Sequence, residues 1–127
     1  MLERDGRVAD MTIMVFEGAY DVASKAVLRR AFKALERPAA VVLDLARVTY
    51  LDSTALFELL LFSRGRAAAG LQPAVLVALH ANLQRLLAIS NMSPLFKIVE
   101  SLDEAIPHDG SRALVRYVSS YADESAS

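Results

Sequence analysis

The chain has 127 residues, 54% of them apolar, with 14 basic and 15 acidic side chains and no cysteine. That is the length of one domain with enough apolar mass for a full core, and too much for a disordered chain. A net charge of -1 argues against nucleic acid as the main partner, and the lack of cysteine removes disulfides, thiolate catalysis and cysteine-based zinc sites together.

The two histidines, His80 and His108, have no HExxH-like spacing, so neither a metal nor another cofactor is expected. Met1 to Arg7 mixes charges of both signs without the apolar core of a signal peptide, and no uncharged apolar stretch approaches a membrane span. A soluble, cytoplasmic protein is the expectation.

In chain order, Met11 to Phe16 is β-branched and aromatic and reads as a strand ending at Glu17-Gly18, with a shorter strand around Arg7, Val8 and Ala9 paired to it. Asp21 reads as the N-cap of a helix from Val22 to Glu36. Its buried face is Val27, Leu28, Ala31, Phe32 and Leu35, and Arg29, Arg30, Lys33 and Arg37 take the wet side. Ala40 to Leu45 is continuously apolar apart from Asp44, as a central strand covered on both faces would be; Asp44 reads as a loop-bracing carboxylate.

Val48 to Leu51 leads into Asp52-Ser53-Thr54, three side chains that favour N-caps, and then a helix to about Ala69 with Gly70 past its end. Leu56, Leu59, Leu60, Ser63 and Ala67 should face the sheet. Phe57 and Leu61 fall on the outer side, either packed under another element or forming a patch for a partner.

Pro73 to Leu79 is a third strand. Asn82 is placed to cap a helix from Leu83 to about Ile89 with Leu83, Leu86 and Leu87 buried, and Ser90 to Pro94 is a turn. Phe96 to Val99 is a short last strand, and Ser101-Leu102-Asp103-Glu104 has capping-box spacing for a short helix. Leu114, Val118, Tyr121 and Ala122 are spaced like one face of a further helix, with a frayed tail behind it. The fold class is therefore α/β: one domain spanning residues 1–127, a mainly parallel or mixed sheet of four to five strands, and about four helices. Its core covers about residues 11–106, with residues 107–127 as a C-terminal extension.

No catalytic constellation is present. Ser53 is not in a GxSxG elbow, and the five glycines are scattered rather than gathered in a phosphate loop. Asp21 and Asp52 both follow strands and could pair, but nothing supplies a metal or a reason for a raised pKa. An enzyme is not expected. What remains is a hydroxyl, Ser53 or Thr54, that either caps its helix or offers a modifiable group at the helix's positive end.

The order of these elements and their local sequences resemble a STAS domain. The residues that carry the resemblance are Gly18-Ala19-Tyr20-Asp21, Val41 to Val48, and Tyr50-Leu51-Asp52-Ser53-Thr54-Ala55-Leu56 against the family's Asp-Ser-Ser/Thr-Gly-Leu. Asn91 to Phe96 and Ser101 to Ile106 resemble the family's closing segment. The chain departs from the pattern where Ala55 replaces a glycine, Phe57 a small residue and Ala19 an acidic one.

The resemblance implies a non-enzymatic anti-sigma factor antagonist. Its phosphorylated serine matches Ser53, with Thr54 as the alternative. Its partners are a histidine-kinase-like anti-sigma factor, which binds the unphosphorylated form, and a phosphatase that resets it. The partner-binding residues would be Asp21, Asp52, Ser53, Thr54, Phe57 and Leu61. A second expectation within the family is a non-switching subunit of an assembly, stressosome-like or lipid-transporting, with Phe57 and Leu61 as a constitutive interface. An exposed pair of that kind would also suit a homodimer.

Overall fold

A computed structural model describes residues 11–36, 40–77, 80–89, 91, 95–106 and 112–120, apart from the side chains at 82 and 86. The elements are β1 (Met11–Tyr20), a 3-10 turn (Val22–Ser24), α1 (Lys25–Lys33), β2 (Val41–Leu51), α2 (Ser53–Ala68), β3 (Val75–Val77), α3 (Ala81–Ile89), β4 (Lys97–Val99), α4 (Leu102–Ala105) and β5 (Ala113–Ser119). The strands form one sheet in the order β4-β3-β2-β1-β5, and every pairing is parallel. Parallel neighbours need crossovers, which the helices between successive strands supply.

Side chains alternate across β1. Met14, Phe16 and Tyr20 join the core beneath α1, α2 and α3, while Met11, Ile13 and Val15 join a second cluster on the opposite face. That second face is covered by Leu102 and Ala105 of α4 and by Ile106 just past its end. β2 is buried on both sides, with Val42 in one cluster and Leu43 in the other, which is why its apolar run is continuous. Ring contacts tie the layers: Phe16 meets Phe32 of α1 in a tilted pair at 5.8 Å, and Phe32 stacks on Phe62 of α2 at 4.8 Å.

Several expectations need correction. The helix expected around Leu114 and Val118 is strand β5, paired with β1 from Met11↔Ala113 to Glu17↔Ser119; Tyr121 and Ala122 lie outside the described residues. β1 runs on through Gly18, where φ is +102°, to Tyr20. It is flanked by β2 and β5, and the strand expected near Arg7 to Ala9 falls outside the described residues.

The first helix opens as a 3-10 turn and its α-helical part ends at Lys33, although its five expected core residues are all buried. Asp44 lies within β2 rather than in a loop, and its Oδ1 accepts from the Ala46 N–H at 3.0 Å. α3 begins at Ala81, so Asn82 is inside it and cannot be its cap. Most of the Ser90 to Pro94 turn is outside the described residues; Asn91 has φ +60°.

Gly70 ends α2 as expected. Its φ is +77°, and the pair Gly70 N–H to Ala67 O (3.0 Å) and Leu71 N–H to Arg66 O (2.9 Å) closes the last turn. Ser101 caps α4, accepting from the Glu104 N–H at 3.3 Å.

Candidate functional site

Parallel pairing brings the carboxyl ends of β1 and β2 together: Tyr20 pairs with Leu51, and the Asp52 N–H donates to Tyr20 O at 3.1 Å. The two aspartates that follow these strands are therefore neighbours along one edge of the sheet. Each is a cap. Asp21 Oδ1 accepts from the Ala23 N–H at 2.9 Å, while the Asp21 N–H donates to Ser24 Oγ at 3.3 Å. Asp52 Oδ1 accepts from the Ala55 N–H at 3.0 Å. Each carboxylate caps through its Oδ1, which gives it a structural role.

The cap assignment corrects one of the sequence expectations. Ser53 and Thr54 are not caps; they occupy the first two positions inside α2, Ser53 exposed and Thr54 half-buried. The Ser53 hydroxyl thus stands in solvent at the positive end of a helix whose capping is already done. His80 Nε2 donates to the Val48 carbonyl at 2.9 Å, which holds the ring against the end of β2. Among the described residues no group of three or more His, Asp or Glu could hold a metal.

Ser53, Phe57 and Leu61 follow each other at intervals of four and form one exposed stripe down α2, Phe57 being 54% and Leu61 44% exposed. The buried face differs in part from the expected one. Leu56, Leu59 and Ser63 are buried, but Leu60 is only half-buried and Ala67 exposed, while Glu58, Phe62 and Arg66 turn inward against α1. The start of α2 is apolar nearly all round, so its pattern does not single out a face. All six residues expected to bind a partner lie on this edge or on the outer stripe of α2.

A family model described as the STAS domain matches residues 2–105. The chain belongs to the STAS domain family. Solved structures agree on the fold. A candidate anti-sigma factor antagonist from Thermotoga maritima superposes with a TM-score of 0.68 at 20% identity, covering 77% of this chain and 86% of that one. A sulfate transporter family protein from Wolinella succinogenes gives 0.62 at 19%, covering 76% and 81%. The anti-sigma factor antagonist SpoIIAA in its unphosphorylated form gives 0.61 at 13%, covering 76% and 86%. No curated protein matches by sequence.

Sequence reasoning missed three groups around this STAS site. Glu58 and Arg66 are buried, at 4% and 3% exposure, and line a groove between α1 and α2. Arg29 Nε pairs with Glu58 Oε1 at 3.1 Å, and Arg66 donates to the Gln72 and Leu35 carbonyls while burial pushes its pKa down. The spacing Glu58, Phe62, Arg66 was a signal for one face, but two charges flanking an aromatic read as a solvated side. The third is Tyr20, whose hydroxyl accepts from the Glu17 N–H at 3.1 Å and shares its proton between the Glu17 and Val118 carbonyls at 2.8 and 3.0 Å. It ties the site's edge to β5.

Proposed function

We propose that this STAS domain is a partner-switching module of the anti-sigma factor antagonist kind, with Ser53 as its phosphorylation site. The observation that carries the reading is the division of labour at the start of α2. Asp52 does the capping, which leaves the adjacent Ser53 hydroxyl exposed and without a structural duty.

Its partner is a histidine-kinase-like anti-sigma factor that binds the neutral form. The γ-phosphoryl group of ATP passes to Ser53 Oγ, ADP leaves and the hydroxyl proton is released. A phosphatase later returns inorganic phosphate by adding water. The domain tolerates the new group because it sits at a helix N-terminus. It adds about -1.5 to -2 charges beside Asp21 and Asp52, and a surface fitted to a neutral hydroxyl then meets like charge at a cost of several kcal/mol. Release needs no change of fold.

The test starts by isolating the partner with tagged protein from its own cells and identifying it. Incubating the pair with ATP should place phosphate on the peptide carrying Ser53 and Thr54, as read by mass spectrometry. Ser53→Asp should weaken the complex by about tenfold or more, and Ser53→Ala should bind yet resist release by ATP. Phosphate on Thr54 would move the site by one residue. An unmodified peptide together with full binding by Ser53→Asp would sink the reading.

The exposed Phe57 and Leu61 favour a second reading, a constitutive subunit of an assembly, because bulky apolar groups hold a permanent contact better than a reversible one. A transporter ATPase as the isolated partner, indifferent to the residue at 53, would support it.

A further inference from the structure

We infer that the groove between α1 and α2 receives an acidic amphipathic helix of the partner, laid so that one of its ends meets Ser53. This rests on the switching reading and names the chemistry of the surface that is switched. The groove has a volume of about 450 Å³ and is lined by Arg29, Lys33, Leu61, Phe62, Gly65 and Arg66 among others. Gly65 adds no side chain to it, and the space there is open: a Cβ would meet nothing within 4 Å. Its floor is the stacked pair Phe32 and Phe62.

The two walls differ in chemistry. On α1, Lys25, Arg29 and Lys33 recur at intervals of four, Lys25 half-buried and the others exposed. On α2, Phe57 and Leu61 are exposed and Leu61 also lines the groove, so the apolar stripe that begins below Ser53 runs into it. Glu36 is an exposed carboxylate among the lining residues, and Glu58 is buried against Arg29 and offsets its charge, so Lys33 in the lining and Lys25 beyond it carry the positive charge of this wall. A cationic wall beside an apolar wall, along a concave line, matches a helix with carboxylates on one face and leucine-like side chains on the other.

A flat anionic membrane would use the cations but not the concavity, and a nucleic acid backbone would use neither Phe57 nor Leu61. The sign of the charge also fits the switch. Phosphate at Ser53 repels an acidic helix and would attract a basic one. Ser53 and Gly65 are twelve residues apart, roughly 18 Å along the helix axis, a span that between three and four turns of a partner helix cover.

The test uses the full chain and a labelled peptide of about 18 residues with leucine on one helical face and glutamate elsewhere. The same peptide with lysine for glutamate, vesicles of phosphatidylglycerol and phosphatidylcholine in equal parts, and a single-stranded DNA are the other arms. The acidic peptide should bind, with affinity falling as salt rises, and the lysine peptide should not. Lys33→Glu and Gly65→Leu should each weaken it by about tenfold. Gly65→Leu raises helix propensity into open space, so its melting temperature should not fall, which separates a blocked groove from a damaged fold.

Equal binding of the two peptides, unchanged binding by Gly65→Leu, or binding of vesicles or DNA in place of the peptide would overturn the proposal. The isolated partner separates this inference from the reading beneath it. Release by Ser53→Asp with indifference to Lys33→Glu and Gly65→Leu keeps the switch and rejects the groove. Weakening by the groove variants with indifference to Ser53→Asp keeps the groove and rejects the switch.

Discussion

Asp52 and Ser53 are consecutive residues of which only the first caps α2. The carboxylate holds the Ala55 N–H at 3.0 Å, and the hydroxyl beside it projects into solvent. The stability cost of losing each should therefore differ. Asp52→Ala removes the acceptor and a negative charge at the helix's positive end, and should cost about 1 kcal/mol. Ser53→Ala should stay within roughly 0.5 kcal/mol of the parent, as exposed substitutions do. Urea unfolding of both variants checks this. An equal loss from Ser53→Ala would mean that the hydroxyl shares the capping. Sequence could mark Asp52-Ser53-Thr54 as a helix start because all three residue types cap well, and for that same reason it could not say which of them does.

At the scale of elements, legibility followed burial. β2 and β3 were readable because strands covered on both faces become unbroken apolar runs. β5 was not. Ala113 through Tyr117 are all exposed, so no alternation marks them, and Leu114 with Val118 mimics helical spacing. β1 concealed its far end in another way, by a register shift against β2 between Gly18 and Ala19. A strand carrying a glycine usually looks finished, yet here Gly18 takes φ +102° and the strand continues to Tyr20.

The space around Gly18 is closed by Ser120, whose Oγ would lie 2.6 Å from an added Cβ. Gly18→Ala should therefore destabilise for two separable reasons, the left-handed backbone at about 1–2 kcal/mol and the clash on top of it. The Ser120 Oγ is buried without a hydrogen-bond partner among the described residues, so Ser120→Ala alone should cost little. Added to Gly18→Ala, it should recover the clash and leave the backbone strain, which a double-mutant cycle in urea would resolve. Full recovery would mean that the backbone at 18 carries no strain. No recovery would mean that Ser120 is not the obstacle.

Over the whole molecule, the candidate site and the edge of the sheet are joined through one phenol. Tyr20 is 1% exposed; its backbone carbonyl receives the Asp52 N–H and its hydroxyl reaches Val118 of β5. Burial, with the Glu17 carboxylate adding to it and the Glu17 backbone hydrogen bond opposing it, pushes its pKa up from 10.0 to about 12. A phenolate there would also face the carbonyl oxygens of Glu17 and Val118 with no proton to share. Below pH 10 the phenol is protonated both folded and unfolded, and its hydrogen bonds contribute in full. Between about pH 10 and 12 the unfolded chain loses the proton and the folded one keeps it, so stability falls as pH rises through that window.

Tyr20→Phe should accordingly be less stable than the parent by about 1–3 kcal/mol at neutral pH, because the Glu17 and Val118 groups lose their partner. That deficit should shrink by about 2 kcal/mol between pH 9 and 12, since only the parent carries this titration. Comparing the two proteins cancels the other groups that ionise at alkaline pH. A deficit that stays constant across the range would mean that Tyr20 titrates alike in both states. In that case the hydroxyl would not be held at the junction of β1 and β5 as the geometry has it.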